Sequence, residues 1–234
     1  MSSKYNLKPY FKPAWVPTIS ETCNNSIISK FAGVPLLCKN ESWPLCGNCQ
    51  KPMQLFLQLN SDELPKDLNP DEVFGHGILQ LFYCTNSDCE SKCKSFEPYS
   101  NGTLLRIIDH HNIDTSEKIT DFGHITEKQI VGWTKSYELP TVNEFNDVFD
   151  FEVDDDDIDE IENFNTADDK LLGYPNWVQD SEYQECRICN KPMMFIFQLT
   201  SNGGLDFTFG DIGGAYLFQC QEHREQLAFL WQCT

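Results

Sequence analysis

Apolar residues in this chain fall into short runs bounded by Gly, Pro or Asn: MQLFLQL (53–59), ILQLFYC (78–84), MMFIFQL (193–199) and AYLFQC (215–220). The runs are too short for independent helices and rich in aromatic and aliphatic residues, so they are predicted to be strands. NGTLLRIID (101–109) reads as a further strand opened by an Asn-Gly turn, and LAFLWQC (227–233) as a closing one. Strand alternation would put Gln58 and Gln198 on the face of Phe56 and Ile196, opposite Leu55, Leu57 and Leu59 in one run and Phe195, Phe197 and Leu199 in the other. A glutamine buried there must satisfy its amide, either by tying down a loop backbone or by lining a symmetric groove for an extended peptide.

The runs repeat. At a constant shift of 140, Lys30, Gly33 and Pro35 meet Lys170, Gly173 and Pro175, and CGNCQKPMQLFLQLN (46–60) meets CRICNKPMMFIFQLT (186–200) with seven identities in fifteen positions. Beyond a loop the shift becomes 136, where LQLFYC (79–84) meets AYLFQC (215–220). The fold expected is α+β and strand-rich, with two pseudo-symmetric halves from an internal duplication, each carrying a zinc-ribbon-like knuckle. Its parts are an N-terminal segment (1–28), a first half (29–146), an acidic linker or loop (147–169) and a second half (170–234), together one domain.

Between Asp147 and Asp169 stand 12 acidic residues and no basic ones; the remaining 24 acids against 17 bases leave minus 7 of the total of minus 19. So charged a run reads as solvated, a spacer or a docking segment with a marginal helix at best. The overall sign argues against nucleic acid, which demands a basic face, and for a basic protein or peptide as partner. No stretch has the length and apolarity of a membrane span and the start does not read as a signal peptide, so a soluble, cytoplasmic protein is expected.

In a reducing compartment, eleven cysteines point to metal or redox chemistry before disulfides. A redox Cys-x-x-Cys would open a helix after a strand, whereas both copies here precede a strand and are followed by Lys-Pro. A Cys-x-x-Cys in a tight turn aims two thiolates at one ion, and a pair at the end of the return strand completes a tetrahedron. Two structural zinc sites are therefore expected. One comprises Cys46, Cys49, Cys84 and Cys89, with Cys93 as a substitute; the other comprises Cys186, Cys189, Cys220 and His223. Cys23, Cys38 and Cys233 are left over as buried thiols.

The segments SKFAGVP, WP, KPM, QLNSDELP and GILQLF, then LLGYPNWVQ, FQL, FGDIGG, YLF and WQC, resemble the YwqG-like family of bacterial proteins (DUF1963 type) over nearly the whole chain. The Cys-x-x-Cys followed by KPM and QLN, with a strand ending FYCTNSDC, is also similar to the programmed cell death protein 2 and ribosomal-protein chaperone group. The resemblance implies a duplicated α+β fold without recognised enzyme activity, zinc binding, and service as an escort for a basic ribosomal protein. Many YwqG-like members lack the cysteines, which implies that zinc reinforces a fold able to stand without it. Ala32 replaces the usual first glycine of a Gly-Gly pair, and His223 stands where a cysteine is expected.

Catalytic signals are sparse. DHH (109–111) lacks the companion motifs of a two-metal phosphatase, and no Walker loop, nucleophile elbow or His-Glu-x-x-His occurs. FGDIGG (209–214) feeds a strand, so Asp211 is expected to cap a turn instead of cradling phosphate. The function expected is a non-catalytic, zinc-stabilised binding module; the alternative is a hydrolase or processing enzyme with a site between the halves that uses acids such as Asp211.

Overall fold

A computed structural model of the chain describes residues 7–21, 28–114, 125–149 and 153–234. Its strands are β1 (Lys12–Ser20), β2 (Lys30–Phe31), β3 (Gln54–Asn60), β4 (Ile78–Tyr83), β5 (Thr103–Ile108), β6 (Lys128–Glu138), β7 (Lys170–Leu172), β8 (Met194–Thr200), β9 (Gly214–Gln219) and β10 (Leu227–Gln232). All pairings are antiparallel, in one ten-stranded sheet of order β10-β9-β8-β7-β1-β6-β2-β3-β4-β5. The end strands β5 and β10 approach each other without pairing, and Trp231 of β10 donates through Nε1 to the Tyr83 hydroxyl at 3.0 Å, so the sheet curls into a near-barrel. The helices are short: α1 (Glu90–Cys93), α2 (Val142–Val148) and α3 (Asp155–Asn163). The molecule is thus mostly strand, with less helix than an α+β fold implies. Among the described residues no helix is long and apolar enough to cross a membrane.

The two arms of the sheet share one pattern. Lys30 faces Gln58 across β2 and β3 as Lys170 faces Gln198 across β7 and β8, and the isolated bridge Leu45 to Pro52 recurs as Glu185 to Pro192. Between the arms lies the antiparallel pair of β1 and β6, so the halves are not separate bodies packed together. They are two wings of one sheet.

A bulge in each wing sets which side chains go inside. Pairing skips from Leu55 to Leu57 against β4, and from Phe195 to Phe197 against β9, leaving Phe56 and Ile196 as extra residues. The bulge breaks the alternation expected from sequence. Phe56 joins Leu57 and Leu59 in the central core with Phe197, Leu199 and Phe209, whereas Leu55 and Phe195 pack outward against the two cysteine clusters.

Each wing also buries a lysine. Lys170 Nζ lies 2.9 Å from both carboxylate oxygens of Glu138 and 2.7 Å from the Thr166 carbonyl; Lys30 Nζ lies 2.6 Å from Glu127 Oε2 and 2.7 Å from the Val34 carbonyl. Both acids sit at the ends of β6. Gly33 (φ 77°) and Gly173 (φ 80°) are required here: a Cβ would strike the Glu127 or Glu138 carboxylate, and the left-handed backbone disfavours any other residue. Ala32 and Leu172 adopt φ of 56° and 60° just before these glycines, a left-handed conformation that glycine would adopt without strain.

Part of the acidic run forms α3. Ile161 of α3 is buried with Leu7, Leu139 and Phe145 of α2, and Leu139 N–H donates to the Phe164 carbonyl at 2.9 Å. The run is therefore not simply a solvated spacer, because Ile158, Ile161 and Phe164 give it enough apolar surface to dock a short helix.

In α2, Thr141 caps the helix by accepting from Glu144 N–H at 3.1 Å, and the Glu144 carboxyl is buried. Burial pushes its pKa up to about 7, although Tyr183 O–H donates to Oε1 and Lys12 lies nearby. A carboxyl raised from its ordinary 4.5 contributes stability that is full below pH 4.5 and is lost as pH rises through about 7. That loss amounts to roughly 3 kcal/mol. Glu144→Gln is therefore expected to melt with a smaller stability difference between about pH 5 and about pH 8 than the wild type. Parallel pH profiles for the two proteins would refute the assignment.

Candidate metal centres

Each Cys-x-x-Cys sits in a doubled-back loop held by the same bonds. Cys46 N–H donates to the Lys51 carbonyl and Gln50 N–H to that of Cys46, both at 2.9 Å; Cys186 N–H donates to the Lys191 carbonyl at 2.9 Å and Asn190 N–H to that of Cys186 at 2.8 Å. Gln50 and Asn190 complete the turn in left-handed conformation, with φ of 57° and 56°. The return strands then deliver Cys84 after β4 and Cys220 after β9, each fixed by its own N–H, to the Gly102 carbonyl at 2.8 Å and the Gln226 carbonyl at 3.0 Å.

In the second wing, Cys189 Sγ lies 3.7 Å from Cys220 Sγ, and His223 Nδ1 lies 3.7 Å from Cys186 Sγ and 3.8 Å from Cys220 Sγ. All four donor atoms fall within 4.8 Å of one another. A tetrahedron with metal–sulfur bonds near 2.3 Å has edges of about 3.8 Å, so the set has the size of a closed four-ligand site. His223 takes the place of a cysteine through Nδ1. Burial opposes ionisation of Cys186, but the N–H groups of Cys189 and Ile188 outweigh it and hold its thiol down at about 6, favouring the thiolate a metal needs.

The first wing repeats these contacts with one sulfur too many. Cys49 Sγ lies 3.7 Å from Cys84 Sγ, while Cys46 Sγ lies 3.8 Å from Cys89 Sγ and 3.5 Å from Cys93 Sγ. Cys46, Cys84, Cys89 and Cys93 form the group within 4.8 Å, so that Cys93 is in it and the expected Cys49 is not; Cys89, just before α1, and Cys93, its last residue, are joined as a disulfide. Either of them, once reduced, stands where His223 stands in the other wing. Among the described residues these are the only two groups of three or more Cys, His, Asp or Glu donors spaced to share an ion.

The other singled-out residues have ordinary work. Gln58 and Gln198 are 0% and 1% exposed. Gln58 accepts from Leu36 N–H at 3.2 Å and donates to the Ile28 carbonyl at 2.8 Å; Gln198 accepts from Asn176 N–H at 2.7 Å and donates to the Asp168 carbonyl at 3.1 Å. These partners are themselves 140 residues apart. The glutamines pin equivalent loops, and their strands are separated in the sheet by β7, β1, β6 and β2. Cys38 and Cys233 are half-buried, not buried as expected, and Cys23 lies outside the described residues. Asp211 is exposed, with its carbonyl accepting from Thr234 Oγ1 at 2.8 Å. Asp109 caps a single turn through His111 N–H, and His110 bonds Asn60 at 2.9 Å.

With cysteine-bearing knuckles on two wings of one sheet, the comparison with known families is decisive: residues 29–233 match DUF1963, a domain of unknown function. The chain belongs to the DUF1963 family. No curated protein matches it. The DUF1963 match covers both knuckles and all strands except β1, the strand at the middle of the sheet.

Proposed function

We propose that this DUF1963 protein is a non-catalytic, zinc-stabilised module, formed by internal duplication, that binds and escorts a basic protein of ribosomal type in the cytoplasm. Cysteine and histidine donors at tetrahedral spacing suit zinc, whereas Mg²⁺ and Ca²⁺ take oxygen. Cys186, Cys189, Cys220 and His223 would hold one ion, and Cys46, Cys49 and Cys84 with Cys89 or Cys93 the other. Each ion would clamp a knuckle to its return strand.

The observation that carries the non-catalytic reading is that each cluster offers four protein donors, in the first once Cys89 and Cys93 are reduced, so that a tetrahedral ion would have no position left for a substrate or water. The partner class follows from a net charge of minus 19 with a sequence pI of about 4.4. Such a field steers a basic chain over a Debye length of about 8 to 10 Å at ordinary salt.

The test uses exposed acids of α2 and α3. Asp147→Asn, Asp159→Asn and Glu162→Gln together keep Ile161 in place, so folding should be unchanged. Stopped-flow association with a lysine-rich peptide is expected to slow several-fold at low salt and to lose part of its salt dependence, since steering acts on the association rate. Equal rates for both proteins at low and moderate salt would remove the acidic run from the binding face.

A further inference from the structure

Outside the metal centres, a cavity of about 800 Å³ opens between α2, the β7 turn and the second knuckle. Its walls are apolar, from Val148, Phe149, Leu172, Met193, Met194 and Phe195. Two polar atoms on the lining residues have no hydrogen-bond partner among the described residues: Glu144 Oε2, on a side chain 0% exposed, and Ser181 Oγ. Buried polar atoms without partners are uncommon and costly, and two around one apolar cavity mark a place where a ligand supplies the missing groups. Charge selects the ligand. Glu72, Glu144 and Asp147 face a single cation, Lys12, whose ammonium lies 4.1 Å over the Tyr174 ring.

We infer that this cavity receives an extended basic segment of a partner protein. An apolar side chain of the segment fills the space beside Met194 and Phe195, a neighbouring Lys or Arg donates to Glu144 Oε2, and a backbone N–H of the segment donates to Ser181 Oγ. The assignment rests on the reading of the protein as a binder of basic chains and gives that reading a location. The second orphan, an uncharged hydroxyl, is what favours a peptide over a simple amine.

Three labelled peptides test it by fluorescence anisotropy at low salt: one alternating Lys and Leu, one alternating Lys and Ser, and one alternating Glu and Leu. They are titrated into the wild type, Glu144→Gln and Val148→Arg. Gln preserves the acceptor for Tyr183, and Val148 is exposed, so Val148→Arg decides if Glu144→Gln does not fold. The Lys/Leu peptide is expected to bind the wild type best and each variant about tenfold more weakly, the factor equivalent to one charge-assisted hydrogen bond. Equal binding of the Lys/Leu peptide to all folded proteins overturns the site and leaves the basic-partner reading standing. Equal binding of Lys/Leu and Lys/Ser, or of Glu/Leu and Lys/Leu, to the wild type also overturns it. Failure of both lysine peptides to bind the wild type overturns that reading and the site together.

Discussion

Reduced wild-type protein is expected to carry two metal ions, Cys46→Ser and Cys186→Ser one each, and the double variant none, as counted by native mass spectrometry. The loss should be large in stability as well, because metal affinity appears as folding free energy, and apparent values for structural zinc run to about 10 to 16 kcal/mol in small peptides. A ten-stranded sheet with its own core should retain part of its fold without the ions, so a lowered melting temperature is expected in place of complete unfolding. The five sulfurs of the first wing sharpen the prediction. Cys89→Ser and Cys93→Ser should each keep both ions, because either sulfur approaches Cys46 closely enough to complete the set. Their double variant should keep one, and so should oxidised protein in which the two are joined, since a disulfide sulfur is not a thiolate. Loss of the ion in Cys89→Ser alone would make Cys93 a bystander. Absence of metal from reduced wild type would remove zinc from the account altogether.

What the sequence made legible was the part that is repeated. Two copies, at a shift of 140 that becomes 136 beyond a loop, revealed the knuckles, the four strands behind them and the paired glutamines, because equivalent residues perform equivalent bonds: Leu36 and Asn176, Ile28 and Asp168. The unrepeated centre was not legible. β1 carries Pro13 and Pro17, which normally argue against a central strand. They are tolerated because β7 pairs only with Ala14 and Trp15, leaving the rest of that side of β1 without a strand partner among the described residues. β6 mixes Lys, Gly, Thr and Ser into its length and shows no clean alternation. The bulges at Phe56 and Ile196 leave no trace in the pattern either, although an unbroken apolar run of Leu-Phe-Leu or Phe-Ile-Phe is compatible with one. The cavity at Glu144 was invisible for a related reason: it is assembled from α2, β8 and the second knuckle, and its carboxylate stands just before the acidic stretch that begins at Asp147, outside any repeated segment.

Lys170→Met is expected to cost about 3 to 5 kcal/mol, the usual penalty for removing one partner of a buried ion pair. The attraction itself is not the main term. Burial pushes Glu138 upward and Lys170 downward in pKa, each opposed by the other's charge, so the pair holds both ions in a place that would otherwise neutralise them. With Lys170 gone, Glu138, 1% exposed, is left with backbone hydrogen bonds from Tyr174 N–H at 3.1 Å and from Thr166, and must take up a proton to remain buried. The sign follows: a carboxyl raised in the folded state stabilises below its unfolded pKa and loses that contribution as pH rises, so the variant's deficit should grow from acid toward neutral pH. Its counterpart in the other wing provides the comparison. Lys30 is 2% exposed, but its partner Glu127 is 28% exposed and can turn to water when released. Lys30→Met should therefore be the milder change and show less pH dependence. A third protein, Lys170→Met with Glu138→Gln, removes the orphan charge and should recover much of the loss, as buried pairs replaced together generally do. In a domain of this size each kcal/mol moves the melting temperature by about 2 to 4 °C, which places the single Lys170 variant on the order of 10 °C below wild type. Matching melting temperatures for the two lysine variants, or no recovery in the double, would show that Lys170 acts through packing and not through the charge it neutralises.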